Sequence, residues 1–366
     1  MIKTALTETL GCKYPVVQTA MGWVADSKLV TATTNAGGFG FLAGATMSTK
    51  LLKDEIAYVR EHSQGNFGVN FHMFQPNALE VIEVVLQNKD RVRAVSYGRG
   101  PDAADIKRLK DAGILCMPTV GALKHAVKAI KLGADIITVQ GQEGGGHTGS
   151  VPTTLLLPQV LDAVKVPVVA AGGFHDGRGL AGALGFGAAG IAMGTRFLMT
   201  AESPVPRQTL QHYLDEHEAK HIRVSFAVDG MPQRMVDNPM LLSLENGGFL
   251  HRLLVALGSA WRWRAYTHMT VGQMVKTFFT SLRAGDGAIQ TMMAANAPML
   301  IQRAMVEGHP DEGVLPSGQV ASVIDDLPHV ADLIAAIVEQ AEARLNALNG
   351  VDAAPLAAAP RSAASA

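Results

Sequence analysis

Cysteine is scarce: only Cys12 and Cys116 occur in 366 residues. Both lie beside apolar, strand-like segments, which argues against a disulfide scaffold and fits a reducing compartment. Charge is scarce too, at 17% where soluble domains usually carry about 25%. The formal net charge is −1, and no basic block occurs that would track a phosphate backbone, so nucleic acid is not an expected partner. No window holds about 18 apolar residues in a row, and the first residues, Met1-Ile2-Lys3-Thr4-Ala5-Leu6-Thr7-Glu8, lack an apolar signal core. No membrane association is expected, and the protein is read as cytoplasmic. No His/Cys/Asp spacing makes a metal site.

Apolar residues, in contrast, make up 48% of the chain. From residue 14 to about 200 a short apolar run, a Gly/Pro/Asn loop and a helical stretch follow one another repeatedly. The strand candidates are Val16–Gln18, Phe39–Leu42, Phe67–Asn70, Ala94–Ser96, Leu115–Met117, Ile136–Gln140, Pro167–Ala171 and Gly190–Met193. They are apolar throughout, as parallel strands covered on both faces should be, and their spacing leaves room for a helix between each pair. This predicts an α/β protein with a (β/α)₈ TIM barrel, whose site would sit at the C-terminal ends of the strands. A doubly wound open sheet shows the same alternation and is the alternative.

Helical periodicity supports the alternation. Lys50 to Arg60 places Leu51, Leu52, Ile56 and Val59 mostly on one side, and Asp102 to Ala112 does so with Ile106 and Leu109. After about residue 201 the rhythm breaks. Residues 205–300 read as a helical insertion or lid, residues 1–204 and 301–350 as the barrel, and 351–366, an Ala/Pro/Ser tail, as disordered. The final helix carries Leu333, Ile334 and Ile337 on one face.

The most informative stretch is Val139-Gln140-Gly141-Gln142-Glu143-Gly144-Gly145-Gly146-His147-Thr148-Gly149. A buried strand empties into a loop of five glycines and one histidine. Glycine lets a backbone approach a flat or anionic ligand closely, and histidine is the one side chain there able to exchange a proton near neutral pH. His147 is therefore the candidate catalytic residue. His175 is a rival, although Asp176 reads as a helix N-cap that would make it structural. His72 and His125 read as structural.

Two further glycine loops, Ala171-Gly172-Gly173-Phe174 and Met193-Gly194-Thr195-Arg196-Phe197, end the seventh and eighth strand candidates. Loops after those strands form the usual phosphate site of this barrel; the plainer alternative is that the glycines only turn the chain into a helix. Gln18-Thr19-Ala20-Met21-Gly22 follows the first strand and Asn70 ends the third. Small residues and one Met can lie against an aromatic ring, and an amide can bond ring oxygens and nitrogens; a core Met and a turn-capping Asn are the alternatives.

Together, Tyr14-Pro15-Val16-Val17-Gln18-Thr19-Ala20-Met21-Gly22-Trp23-Val24, Asn35-Ala36-Gly37-Gly38-Phe39-Gly40, Gly68-Val69-Asn70, Gly144-Gly145-Gly146-His147-Thr148-Gly149, Ala171-Gly172-Gly173 and Met193-Gly194-Thr195-Arg196-Phe197 resemble the nitronate monooxygenase (2-nitropropane dioxygenase-like) family of FMN-binding TIM barrels. The resemblance returns at Gly313 to Gln319. It implies non-covalent FMN, with its phosphate at Gly172, Gly173, Gly194 and Thr195 and its ring near Ala20, Met21, Asn70 and Gln140. Gly22, Gly145 and Met193 complete the expected cofactor contacts, and His147 falls on the family's active-site histidine.

The activity implied is oxidation of an alkyl nitronate with dioxygen to a carbonyl compound and nitrite. Met21-Gly22-Trp23-Val24 and Ser317-Gly318-Gln319-Val320 look closer to FMN-dependent enoyl-thioester reductases and to flavoproteins of steroid-ring degradation. A CoA-thioester enone with NAD(P)H is thus the alternative pair of partners, and a non-catalytic flavin-binding barrel is a second alternative. Trp261-Arg262-Trp263-Arg264, with Arg252, Lys276 and Arg283, could bind CoA phosphates, although an amphipathic helix whose tryptophans pack on the barrel explains the cluster better. The exposed aromatic insertion hints at a homodimer.

Overall fold

The apolar runs become strands whose side chains are buried on both faces. In the computed structural model, which describes residues 2–73, 75–98, 100–267, 269–274, 293, 295–348 and 350, these are β1 (Val16–Gln18), β2 (Phe39–Leu42), β3 (Phe67–Asn70), β4 (Val92–Tyr97), β5 (Leu115–Val120) and β6 (Ile137–Gln140). After the two-residue β7 (Gly146–His147) come β8 (Val168–Ala171) and β9 (Gly190–Met193). All but β7 form a closed parallel barrel in the order β1-β2-β3-β4-β5-β6-β8-β9. Closure is made by β1 on β9, with Val16 opposite Ile191, Val17 opposite Ala192 and Gln18 opposite Met193. The (β/α)₈ barrel is thereby established and the open sheet excluded.

The inside of the barrel is filled, not hollow. Val17, Phe39, Phe41, Ala94, Met117, Val169, Ala171 and Ala192 pack together there, and Leu6 and Leu10 join them from helix Ala5–Leu10. Thr4 anchors that helix by donating from Oγ1 to the Ala189 carbonyl, just before β9 (2.6 Å). One mouth of the barrel is thus plugged by the N-terminal helix. Loops at the opposite, C-terminal ends are left to build a site.

Outside, helix Thr49–His62 buries Leu52, Ile56 and Val59 as its periodicity predicts, while Leu51 is 40% exposed. Its start is fixed by Ser48, whose side chain accepts the Leu51 N–H. The last helix, Val330–Leu348, buries Leu333, Ile334 and Ile337. It lies so close to helix Gly177–Gly185 that a β-carbon at Gly177 would come within 2.3 Å of the Ile337 carbonyl oxygen.

The segment 205–300 departs from the expected wholly helical insertion. It contains helices Arg207–Leu214, Pro239–Asn246, Phe249–Thr267 and Asn296–Met305, but also β10 (Ile222–Ser225) and β11 (Gln233–Val236). These two pair antiparallel, and β11 also pairs with β12 (Leu315–Pro316) and with β7. Four-residue strands are too short to impose a period on a long window, so the helical pattern around them dominates the sequence signal. A separate small core of Val228, Met235, Leu241, Leu244, Leu300 and Val314 holds this segment together. Lys276, Arg283 and the expected disordered tail 351–366 lie outside the described residues. Among the described residues, no helix is long and apolar enough to cross a membrane.

Candidate active site

Every residue expected at the site lies at or just after the C-terminal end of a barrel strand. Ala20, Met21 and Gly22 follow β1, Asn70 ends β3, Gln140 ends β6, Gly172 and Gly173 follow β8, and Met193 ends β9 with Gly194 and Thr195 after it. Gly145 and His147 lie in the loop after β6. Barrel closure brings the first and last of these side by side. The Thr19 N–H donates to the Met193 carbonyl (3.1 Å), and a β-carbon on Gly194 would stand 3.2 Å from Thr19 Oγ1 and 3.5 Å from Met21 Sδ. The Met193 side chain itself is buried in the core, so only its backbone faces the site loops.

The glycines have distinct structural reasons. Gly172 and Gly173 hold φ values of +94° and +84°, a left-handed pair that side-chain-bearing residues adopt only under strain. Gly144 packs on Gln140, and Gly145 lies against the backbone of Ser317 and Gly318, where a β-carbon would sit 2.5 Å from the Ser317 carbonyl carbon. The chain's return through residues 313–319 is therefore strapped onto the histidine loop. Ser317 N–H donates to Arg234 O (3.2 Å), Gln319 N–H to Glu143 O (3.0 Å), and Gly318 N–H to Thr195 Oγ1 (2.9 Å).

Side chains tighten the same loop. Glu143 accepts from the Thr153 hydroxyl (2.7 Å) and the Thr153 N–H (3.0 Å). The buried Arg234 donates from Nε to the Gln142 carbonyl (3.0 Å) and from Nη1 to the Ile222 carbonyl (2.8 Å). Gln140 Nε2 donates to the His147 carbonyl (3.0 Å), and Asn70 Nδ2 donates to Ser96 O and Oγ (3.0 and 3.1 Å).

His147 reaches a partner that sequence reasoning missed. Its Nε2 lies 2.9 Å from Asp229 Oδ2, and the imidazole is 51% exposed while the carboxylate is only 5% exposed. Asp229 also accepts from Gln233 Nε2 (2.7 Å) and, on Oδ1, from the Met231 N–H (3.0 Å). Burial pushes the carboxyl up, but the His147 contact, the Gln233 amide and the Met231 N–H outweigh it and hold it below the usual carboxylate range. The one sequence signal for it is Asp229-Gly230, a turn pair between the segments that become β10 and β11, with Gly230 at φ +81°.

Asp176 caps helix Gly177–Gly185 through the Arg178 and Gly179 N–H groups, as expected, and His175 stands 3.5 Å from its carboxylate. Burial lowers the His175 pKa. His125 is exposed on helix Leu123–Lys131, and His72 is exposed in the loop after β3. Arg196 is buried and binds Asp326 Oδ1 (2.6 Å) and the Asp326 carbonyl (2.9 Å), which ties the end of the barrel to the returning chain.

Of the aromatic-basic cluster, Arg252 is spent on the Leu244 and Glu245 carbonyls, and Arg262 pairs with Glu307. Trp263 lies tilted at 32° to the Tyr266 ring, 6.0 Å away, and Tyr266 meets Trp23 edge-on at 5.0 Å, so this half packs on the barrel mouth as expected. Trp261 does not: it is 62% exposed, with the Arg264 guanidinium over its ring.

A nitronate monooxygenase sequence profile matches residues 3–85 and 79–340. The chain belongs to the nitronate monooxygenase family. It is an oxidoreductase of the nitronate monooxygenase type, in agreement with the sequence reading. Within the family it is 47% identical to the (3aS,4S,5R,7aS)-5-hydroxy-7a-methyl-1-oxo-octahydro-1H-indene-4-carboxyl-CoA dehydrogenase of Rhodococcus jostii, over 96% of this chain and 99% of that protein. A probable nitronate monooxygenase of Staphylococcus aureus is 31% identical over 64% of this chain and 79% of its own length. Among solved structures, FabK from Thermotoga maritima superposes with a TM-score of 0.78 at 27% identity, covering 96% of this chain and all (100%) of that one. The nitroalkane oxidase of Streptomyces ansochromogenes does so with 0.74 at 26%, covering 94% and 100%.

Proposed function

We propose that this family member holds FMN at the C-terminal rim of its barrel and uses His147 as a base toward the acidic carbon of its substrate. The observation that carries the reading is a half-exposed imidazole, held by a buried carboxylate, on the glycine-rich rim. The rim residues fit the cofactor. Gly172, Gly173 and Gly194 offer backbone without β-carbons, and Thr195 Oγ1 accepts the Gly318 N–H while keeping its own proton to donate to a phosphate oxygen. Ala20, Met21 and Gly22 would lie along the ring, with Asn70 and Gln140 as amide partners and Gly145 and Met193 contributing backbone. Bound FMN supplies a two-electron acceptor next to the substrate carbon. His147 would take the proton from that carbon, and the Asp229 carboxylate would stabilise the imidazolium formed.

Two carbon acids suit this arrangement. Oxidation of an alkyl nitronate with dioxygen is the family reaction, and there His147 orients the anion or deprotonates the parent nitroalkane. A specific observation favours a CoA thioester as the natural substrate: the end-to-end likeness to two dehydrogenases of a carboxyl-CoA, 47% and 46% identical, against 31% over a shorter span for the nitronate monooxygenase of Staphylococcus aureus. Deprotonation beside a thioester carbonyl uses the same base. In this reading the enzyme works in the cytoplasm, where Cys12 and Cys116 stay free thiols. Dioxygen would reoxidise the flavin in this direction, and NAD(P)H would be the donor only if the enzyme runs the opposite way and reduces a CoA-thioester enone. Exposed Leu250, Leu254, Leu257 and Trp261 support a homodimer.

The test is the visible spectrum of purified protein, recorded anaerobically before and after adding a saturated fused-ring acyl-CoA or an alkyl nitronate. Oxidised-flavin bands that bleach with the thioester support the favoured reading, and bleaching with nitronate alone returns the substrate to the nitronate class. A colourless protein that takes up no FMN removes both. His147→Ala with intact flavin should lower turnover by about 10²-fold or more.

A further inference from the structure

We propose that Asp229 is a positioning residue that fixes His147 in the tautomer protonated on Nε2, so that Nδ1 is the nitrogen that takes the substrate proton. This inference rests on His147 being the base, and it assigns which of two nitrogens does the work and what decides it.

Asp229 Oδ2 receives Gln233 Nε2 at 2.7 Å and faces His147 Nε2 at 2.9 Å, while Oδ1 receives the Met231 N–H at 3.0 Å. An ionised carboxylate is acceptor-only. The imidazole nitrogen opposite it must therefore carry the hydrogen, and in a neutral ring the lone pair is then on Nδ1. The opposite tautomer would set a lone pair against a buried negative charge, a cost that the carboxylate, only 5% exposed, cannot pass to water.

Ring and carboxylate are held from independent directions. His147 sits in β7 opposite Gln233 of β11, so the residue that hydrogen-bonds Asp229 is also the one that pairs with the histidine backbone. Gln140 Nε2 holds the His147 carbonyl from the barrel side, at 3.0 Å. The other charged groups on the packed elements are otherwise engaged: Arg234 of β11 with the Gln142 and Ile222 carbonyls, and Glu143 of the same loop with Thr153. Asp229 is thus the charged group in hydrogen-bond contact with the ring.

The proton step is balanced by these atoms alone. The substrate C–H bond breaks, its electron pair stays on carbon as a carbanion stabilised by the adjacent nitro or thioester group, and the proton forms a bond to Nδ1. The imidazolium then donates its Nε2–H to a carboxylate already in place, with little reorganisation. The logic is that of any base oriented by a third group.

The experiment is nitrogen NMR of the holoenzyme with ¹⁵N-labelled histidine at pH 8, the His147 signals among 12 histidines being assigned by their loss in His147→Gln. The expected pattern couples the ring protons to a protonated Nε2 and an unprotonated Nδ1. In Asp229→Asn, which keeps shape and removes charge, that preference should collapse. Its kcat should fall about 10²-fold or more with little change in KM, and Asp229→Glu should recover part of both. Because the wild-type spectrum alone is decisive, a variant that fails to fold does not shelter the idea. A wild-type His147 protonated on Nδ1 only, or on both nitrogens, overturns it, as does an Asp229→Asn enzyme with unchanged tautomer and unchanged pH–rate profile. The functional reading fails separately: His147→Ala with full turnover would remove the base while leaving the tautomer measurement intact.

Discussion

Gly145 and Ser317 share a space that admits no side chain at position 145. A β-carbon there would lie 2.5 Å from the Ser317 carbonyl carbon and 2.6 Å from the Gly318 nitrogen, both backbone atoms that cannot swing away. The histidine loop and the returning chain thus fit each other through one missing methyl group. Gly145→Ala should force them apart at a cost of about 1–3 kcal/mol. Thermal melting should show a clear fall in Tm, and a melting curve superposable on wild type would sink this account of the glycine.

Trp23 holds a φ of +69°, the sole positive value outside glycine among the described residues. Such a backbone costs on the order of 1 kcal/mol and persists where surroundings over-determine it. Here the indole donates from Nε1 to the Pro298 carbonyl (3.0 Å) and meets the Tyr266 ring. Trp23→Gly relaxes the backbone but removes both contacts. Hydrogen exchange should speed up in helix Phe249–Thr267 while the barrel strands stay protected; uniform exchange across the molecule would show that Trp23 does not tie the insertion to the barrel.

The lowered pKa of Asp229 fixes the sign of one pH effect. A carboxyl held below its ordinary value of 3.8 contributes stability above that value, and the contribution disappears as pH falls through the folded-state pKa. Wild type should therefore exceed Asp229→Asn in stability at neutral pH, with the gap closing as the solution is acidified below about pH 4. Urea melts at several pH values check this, and a gap that widens in acid would contradict it.

Both thiols should be inert in the native protein. Burial pushes the Cys12 thiol up to about 12 and the Cys116 thiol up to about 11, which leaves almost no thiolate at neutral pH. Mass spectrometry after iodoacetamide at pH 7.5 should find neither residue alkylated without denaturant, and rapid native labelling of Cys116 would show that β5 is more open than its burial implies.

The local features of the site were legible in the sequence because each is written in a few adjacent residues. Short apolar runs announce strands, and glycines after Ala171, after Met193 and before His147 announce backbone that must bend or approach closely. Their order along the chain was enough to place them on one rim, since a barrel puts every strand end on the same side. The pairing of His147 with Asp229 was not legible, because the two are 82 residues apart and meet only when a four-residue strand, β11, lies beside the histidine loop. A strand that short leaves no periodic signal, and its register is set by what it packs against. The sequence by itself thus determined the barrel, the glycine rim and the histidine, which are local patterns repeated along the chain. Only the tertiary structure decided which carboxylate orients that histidine and which backbone fills the space at Gly145, because both depend on contacts between segments far apart in the chain.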